Sequence, residues 1–310
     1  MASIQNLKRR IKSVQNIGTI TKAMELVAAT KMRRSQELAL SSRPYAYTAL
    51  EILGILSDLK DVPLPDLLVP REIQRTAFIL VTSDRGLAGS FNSSVIKKFE
   101  HYIKERRINL ADPGHVFVAV GQKAKSYLER RKLPVAAFFT HVSDFTRIEE
   151  TDPIAEFLIA GYERRDFDAA TMFFSTFVTA LRQDAIAHDF LPVTYDAVKA
   201  SIEDTIPRAG KYSNYAESPS FFEGKVSEYL IEPSPREVLA ELAPKLLKTR
   251  VYHAILESNA SEYSARRMAM KNASDNASEL SKNLNLEYNK SRQAAVTNEI
   301  IEVTSGSATE

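Results

Sequence analysis

The 310-residue chain sets 41 Lys and Arg against 39 Asp and Glu, a net charge of +2, with 44% apolar and 26% charged residues. This is an ordinary globular composition, and its near neutrality names no polyanionic partner. Cysteine is absent, which excludes disulfides, thiol nucleophiles and Cys-ligated zinc. No window approaches about 18 uninterrupted apolar residues, which excludes a membrane-spanning helix. The opening MASIQNLKRR lacks the apolar stretch of a secretory signal, so the chain is expected to stay inside the cell.

Glycine and proline divide the chain. Of 10 Gly and 13 Pro, only Gly18, Pro44 and Gly54 fall in residues 1–62, and only Gly306 falls in 245–310. Both residue types punctuate compact folds and are poor inside helices. The pattern predicts a helical segment over 1–62, a loop-rich domain over 63–232 and a second helical segment over 233–310.

The first segment places Ile4, Leu7, Ile11, Val14, Ile17, Ile20, Met24 and Val27 three or four residues apart, a coiled-coil seam with one short step. Ser3 is a candidate N-cap, and Pro44 is expected to kink the helix. The middle alternates apolar runs with helical patterns. The runs 76–83, 115–120, 134–142 and 171–178 are expected strands, separated by helices around Val95–Ile103, Lys123–Arg131 and Ile154–Gly161. Continuous apolar strands alternating with helices predict a parallel sheet covered on both faces. Residues 205–224 are polar and read as a loop, followed by Glu232-Pro-Ser-Pro-Arg236 before the last helix, in which Pro244 predicts a kink or a late start. That helix carries a second seam, Ala273, Ala277, Leu280, Leu284 and Tyr288. With so few large apolar residues it cannot be the core of a globule and needs a helix alongside. The first segment is the candidate in this chain, and the ends are expected to pair antiparallel.

A search for chemistry returns little. No two of His101, His115, His141, His188 and His253 stand four apart, so no metal-ligand spacing appears. No nucleophile elbow or phosphate-binding loop motif is present. The turn Ser83-Asp-Arg-Gly-Leu-Ala-Gly-Ser-Phe-Asn92 could cradle a phosphate, but its glycines miss the dinucleotide fingerprint. The blander alternative is a tight turn with Ser90 or Asn92 capping the next helix. An enzyme with a nucleotide here would show ATPase activity as an isolated chain. The first 34 residues hold eight basic residues, from Lys8 to Arg34, against Glu25 alone. That charge fits a basic coiled-coil nucleic-acid-binding protein, a solvated helix face, or a helix that meets acidic loops of a protein partner.

Several ordered motifs resemble the gamma subunit of F-type ATP synthases, the central-stalk rotor. They are Ile11-Lys-Ser-Val, Ile20-Thr-Lys-Ala-Met24 through Lys31-Met-Arg-Arg34, Arg43-Pro-Tyr-Ala46 and Asp84-Arg-Gly-Leu-Ala-Gly89 through Asn92. Towards the C-terminus follow Ala260-Ser-Glu262, Met270-Lys271, Asp275-Asn-Ala277, Leu286-Glu-Tyr-Asn-Lys290 and Arg292-Gln-Ala-Ala-Val-Thr-Asn-Glu299-Ile-Ile-Glu302. Arg267 and Met268 depart from the family pattern, and Ser274 replaces its more usual Thr.

The resemblance implies an α/β fold class: a long antiparallel coiled coil of the N- and C-terminal helices with an inserted Rossmann-like domain. It implies a non-catalytic rotor subunit of a proton-translocating synthase, with catalysis on the beta subunits and no cofactor or metal of its own. Implied partners are the hexameric ring of alpha and beta subunits, the epsilon subunit and the membrane c-ring, with no nucleic acid. The implied location is peripheral, on the cytoplasmic face of a bacterial inner membrane. Arg292 and Gln293 are then expected to bind an acidic beta-subunit loop, with Thr297 and Glu299 nearby. Lys22, Met24, Lys31, Arg33 and Arg34 are expected on the same rotor–stator surface.

Overall fold

A computed structural model of the chain describes residues 4–41, 52–53, 64–141, 147–194 and 232–307, with side chains as far as Ile301. Ser3, the Pro44 kink and the 205–224 loop lie outside the described residues. The chain forms two compact units, one of Met1–Ala28 with Arg266–Glu310 and one of Ala29–Ala265.

The larger unit holds a five-stranded sheet. In chain order come β1 (Thr76–Val81), α2 (Phe91–Glu105), β2 (Val116–Val120), α3 (Gln122–Arg130), β3 (Val135–Phe139), α4 (Asp152–Glu163), β4 (Ala169–Phe177) and β5 (Gln183–Leu191). They follow α1 (Ile4–Ser41) and precede α5 (Pro235–Ser307). The strand order is β3-β2-β1-β4-β5. The first four strands are parallel, as their helical crossovers require.

The expectation of an all-parallel sheet is corrected at one edge, where β5 runs antiparallel to β4. Its sequence QDAIAHDFL alternates polar and apolar residues and lacks the continuous apolar run by which the buried strands are recognised. A tight turn at Thr179–Arg182, with Arg182 N donating to Thr179 O at 3.2 Å, makes the hairpin.

Both sheet faces are covered, which is why β1 reads TAFILV without alternation. Phe78 and Leu80 pack on one face with Phe99 of α2 and Leu128 of α3. Ala77, Ile79 and Val81 pack on the other with Leu158 and Tyr162 of α4 and Leu247 and Ile255 of α5.

α5 begins at Pro235 and continues past Pro244, so the late start is not observed. A serine N-cap fixes that beginning: Glu237 N donates to Ser234 Oγ at 3.3 Å, and the hydroxyl donates to Glu237 Oε1 at 3.0 Å. Pro235 occupies the first helical position, where its missing N–H costs nothing. Every residue of α5 from Thr249 to Ala265 is buried. This overturns the expectation that the last helix is too poor in large apolar residues to enter a core. Arg250, Glu257, Ser261 and Ser264 find hydrogen-bond partners there.

The smaller unit is an antiparallel pair of helix segments. Leu7 and Ile11 pack with Leu284, flanked by Val14 and Tyr288. Further along, Ser274 Oγ donates to Gly18 O at 3.5 Å, and a Cβ on Gly18 would lie 3.4 Å from that of Ala277. As the numbers rise on α1 they fall on α5. The seams differ from those expected. On α1 the inward positions are Ile4, Leu7, Ile11, Val14, Gly18, Thr21, Glu25 and Ala28, an unbroken alternation of three and four. Ile17, Ile20 and Val27 are exposed by half or more, and Met24 is half-buried. On α5 the inward positions are Met270, Ser274, Ala277, Ser281, Leu284 and Tyr288, while Leu280 is exposed.

Candidate functional site

The turn after β1 is closed by its own side chains. Asn92 Oδ1 accepts from Ser83 N at 2.9 Å and from Ser83 Oγ at 3.0 Å, and Asp84 Oδ1 accepts from Gln122 N at 3.0 Å. Asn92 therefore ties back to Ser83 instead of capping α2, and Ser90, at the N-cap position, makes no side-chain cap bond. Two amides that could meet a phosphate are occupied, one of them by a carboxylate. Leu87 in this turn holds a φ of 66° and is exposed.

A cavity of about 770 Å³ opens elsewhere, at the N-terminal edge of the parallel strands, bordered by Thr76, Tyr102, Arg106, His115 and Asp189. Doubly wound sheets take their ligands at the opposite, carboxyl edge. No group of three or more His, Asp or Glu among the described residues could hold a metal.

The expected contact residues fall in separate bands. Arg292, Gln293, Thr297 and Glu299 are exposed on α5, beyond Tyr288 and Ser291, the last half-buried positions of its seam. Thr297 Oγ1 donates back to Gln293 O at 2.9 Å within the helix. Lys22 is exposed and pairs with the buried Glu25 at 2.9 Å. With Gly18 opposite Ala277, Lys22 and Met24 lie roughly 30 Å along the coil from Arg292, at about 1.5 Å per residue. The structure does not bring those two groups together. Lys31, Arg33 and Arg34 belong to the larger unit and are exposed. The Lys31 ammonium stands 5.3 Å from the ring centre of Tyr263 on α5.

The surface around the bands is apolar as well as basic. Ile17, Ile20, Leu26 and Val27 are exposed on α1, and Leu280, Leu286, Val296, Ile300 and Ile301 on α5. Sequence reading missed this feature by assigning four of these residues to the seam.

The family model described as ATP synthase matches residues 3–309. The chain is 37% identical over 306 residues to the ATP synthase gamma chain of Geotalea daltonii, covering 99% of this chain and 98% of the relative. It is 36% identical over 313 residues to that of Picosynechococcus, covering 99% of each. The chain belongs to the ATP synthase gamma-chain family.

Two solved structures carry the same fold. A chain of the Euglena gracilis mitochondrial ATP synthase, from a structure of OSCP, F1 and c-ring, matches with a TM-score of 0.61 at 16% identity, over 99% of this chain and 94% of that one. A chain of the Tetrahymena thermophila mitochondrial ATP synthase, from a structure of the central stalk and c-ring, matches with a TM-score of 0.55 at 23% identity, over 82% and 99% respectively. Gamma-chain membership gives the paired helices and the inserted α/β sheet a common explanation. The nucleic-acid alternative gains no support from these likenesses. Among the described residues no helix is long and apolar enough to cross a membrane.

Proposed function

We propose that the chain is the non-catalytic central-stalk subunit of a proton-translocating F-type ATP synthase. The paired helix segments 4–28 and 266–301 belong to its axle and the α/β sheet to its foot. The axle turns inside the hexamer of alpha and beta subunits, and the foot meets epsilon and the c-ring. ATP is made or cleaved on the beta subunits, and the complex holds the chain peripherally at the cytoplasmic face of a bacterial inner membrane.

One observation carries this reading: beyond the Leu7, Ile11 and Leu284 cluster the coil's seam is small, at Gly18, Ser274 and Ala277, while Ile17, Ile20, Val27 and Leu280 face outward. A free coiled coil turns such residues inward. Exposed apolar side chains along a shaft call for an enclosing partner, and the small seam at Gly18, Ser274 and Ala277 keeps the shaft slim enough to enclose. The mechanism follows from asymmetry. Three chemically equal sites differ only when something makes different contacts with each. Two helices of unlike sequence supply that difference, and their rotation passes it from site to site. Arg292 and Gln293 fit an acidic loop of a beta subunit, because a guanidinium fork binds a carboxylate with two parallel hydrogen bonds.

The test is purification through an affinity tag on this chain from detergent-solubilised membranes. Alpha, beta, epsilon and c subunits are expected to come with it, together with ATPase activity that the chain alone lacks. Recovery of a lone chain, or of nucleic acid bound with a steep salt dependence, would count against the assignment.

A further inference from the structure

We propose that a line of polar side chains on α5, from Arg250 to Ser264, is the grip through which torque passes between the α/β sheet and the coil helix. This rests on the rotor reading above and adds to it the residues that resist slip.

Positions 250, 257, 261 and 264 are spaced to share one helix face. All four are buried, and all bond to the β4–β5 hairpin. Arg250 donates to Asp189 O at 2.6 Å and to Phe190 O at 3.2 Å, with its guanidinium 4.6 Å from the Phe190 ring centre. Glu257 Oε2 accepts from Phe177 N at 2.9 Å. Ser261 Oγ donates to Ser175 O at 3.1 Å, and Ser264 Oγ donates to Ala180 O at 2.9 Å while accepting from Gln183 Nε2 at 3.2 Å. The line extends about 21 Å along the helix, at about 1.5 Å per residue.

The sheet is built to receive it. β1 pairs with β4 only as far as Phe173. Beyond that point the carbonyl of Ser175 and the amide of Phe177 are taken by Ser261 and Glu257 in place of a strand. The antiparallel β5 carries the line on to its far end at Asp189 and Phe190.

Such bonds do what apolar packing does not. Burial of apolar area is non-directional, so a helix held by it alone turns or slides as its neighbours repack. Hydrogen bonds to backbone groups have a fixed direction and length. Here they tie α5 to a hairpin whose own ladder holds it in place. The same unbroken helix continues to Ser307, so the gripped segment and the coil segment are one piece. Apolar side chains on this face would fill the core equally well, yet polar ones stand there, each aimed at a backbone group of the hairpin.

The experiment uses the assembled synthase in inverted membrane vesicles, reading ATP hydrolysis, ATP-driven proton pumping and subunit content together. The double variant Glu257→Ala with Ser261→Ala is expected to keep hydrolysis per assembled complex while pumping per ATP falls about fivefold, the effect of losing directional bonds in a buried interface. Glu257→Gln keeps an acceptor for Phe177 N and is expected to restore the ratio. Should the carboxylate variant fail to assemble, Ser261→Ala with Ser264→Ala, which removes only hydroxyls, decides the matter by the same ratio. A pumping-to-hydrolysis ratio equal to wild type in assembled complexes would overturn the grip and leave the rotor assignment standing. A loss of both activities in proportion to lost complex would likewise overturn it, reducing these residues to structural ones. Absence of the wild-type chain from the complex would instead sink the rotor assignment itself.

Discussion

Gly121 closes β2 with a φ of +91°, and a Cβ placed there would stand 2.1 Å from the carbonyl oxygen of Thr82. Both facts bar a side chain, since the left-handed backbone and the close approach each need glycine. Gly121→Ala is expected to destabilise the α/β unit by more than about 3 kcal/mol, visible as a lowered urea midpoint of the full chain. Tyr127 is the chain's clearest titration probe. Burial, and then its hydrogen bond to Glu100 at 2.9 Å, push its phenol up to about 12 from the ordinary 10.0. The folded chain thus keeps this proton where the unfolded chain has lost it. The contribution is whole below pH 10 and disappears as pH rises towards 12. Tyr127→Phe is expected to cost about 1 kcal/mol near neutrality. The gap from wild type should narrow across that window in unfolding curves taken at successive pH values. A gap that stays constant from pH 8 to about 11.5 would mean that Tyr127 titrates like an exposed tyrosine.

At the scale of elements, the seams show how far the sequence could be read. Four parallel strands and their helices announce themselves because strands covered on both faces need unbroken apolar runs. The coil announces its existence through a long stretch almost free of Gly and Pro, but its register misleads. A seam is sought among large apolar residues, so Ile17 and Ile20 attract the reading past Val14, and Leu280 does the same on α5. The inward positions are Gly18, Thr21 and Ser281, which are small because two backbones approach closely there. A strict alternation of three and four from Ile4 would have led to Gly18. The short step was the signal that the reading had left the seam. β5 escaped for a different reason, its alternating pattern being that of a half-buried edge, and the buried stretch of α5 escaped because Arg250, Glu257, Ser261 and Ser264 meet their partners only in three dimensions. The register makes a direct prediction. Ile11→Ala should cost roughly 2 kcal/mol of coil stability, while Ile17→Ser should change it by less than about 0.5 kcal/mol. Hydrogen exchange of the α1 amides separates the two, and equal loss of protection in both variants would contradict the seam.

At the scale of the whole molecule, the candidate contact residues Arg292 and Gln293 owe nothing to the fold of the chain that carries them. Arg292 and Gln293 are exposed, and neither side chain bonds any described residue. Alanine is the better helix former at such sites. The double variant Arg292→Ala with Gln293→Ala is therefore expected to leave the unfolding of the isolated chain within about 0.5 kcal/mol of wild type. By the proposed stator contact, the same change in the synthase is expected to remove a two-pronged cation from an acidic loop, a loss of roughly 2 kcal/mol or more. It should appear as weakened assembly or reduced ATP synthesis per complex. Arg292→Lys sharpens the test, because it keeps the charge and removes the planar fork. Where the fork matters, the lysine variant falls nearer the alanine variant than wild type. Where only the basic field of the shaft matters, it stays near wild type, and the salt dependence of assembly should be similar in the two. A double alanine variant that assembles and synthesises ATP like wild type would remove these two residues from the stator contact and leave the outward apolar band of the coil to carry it.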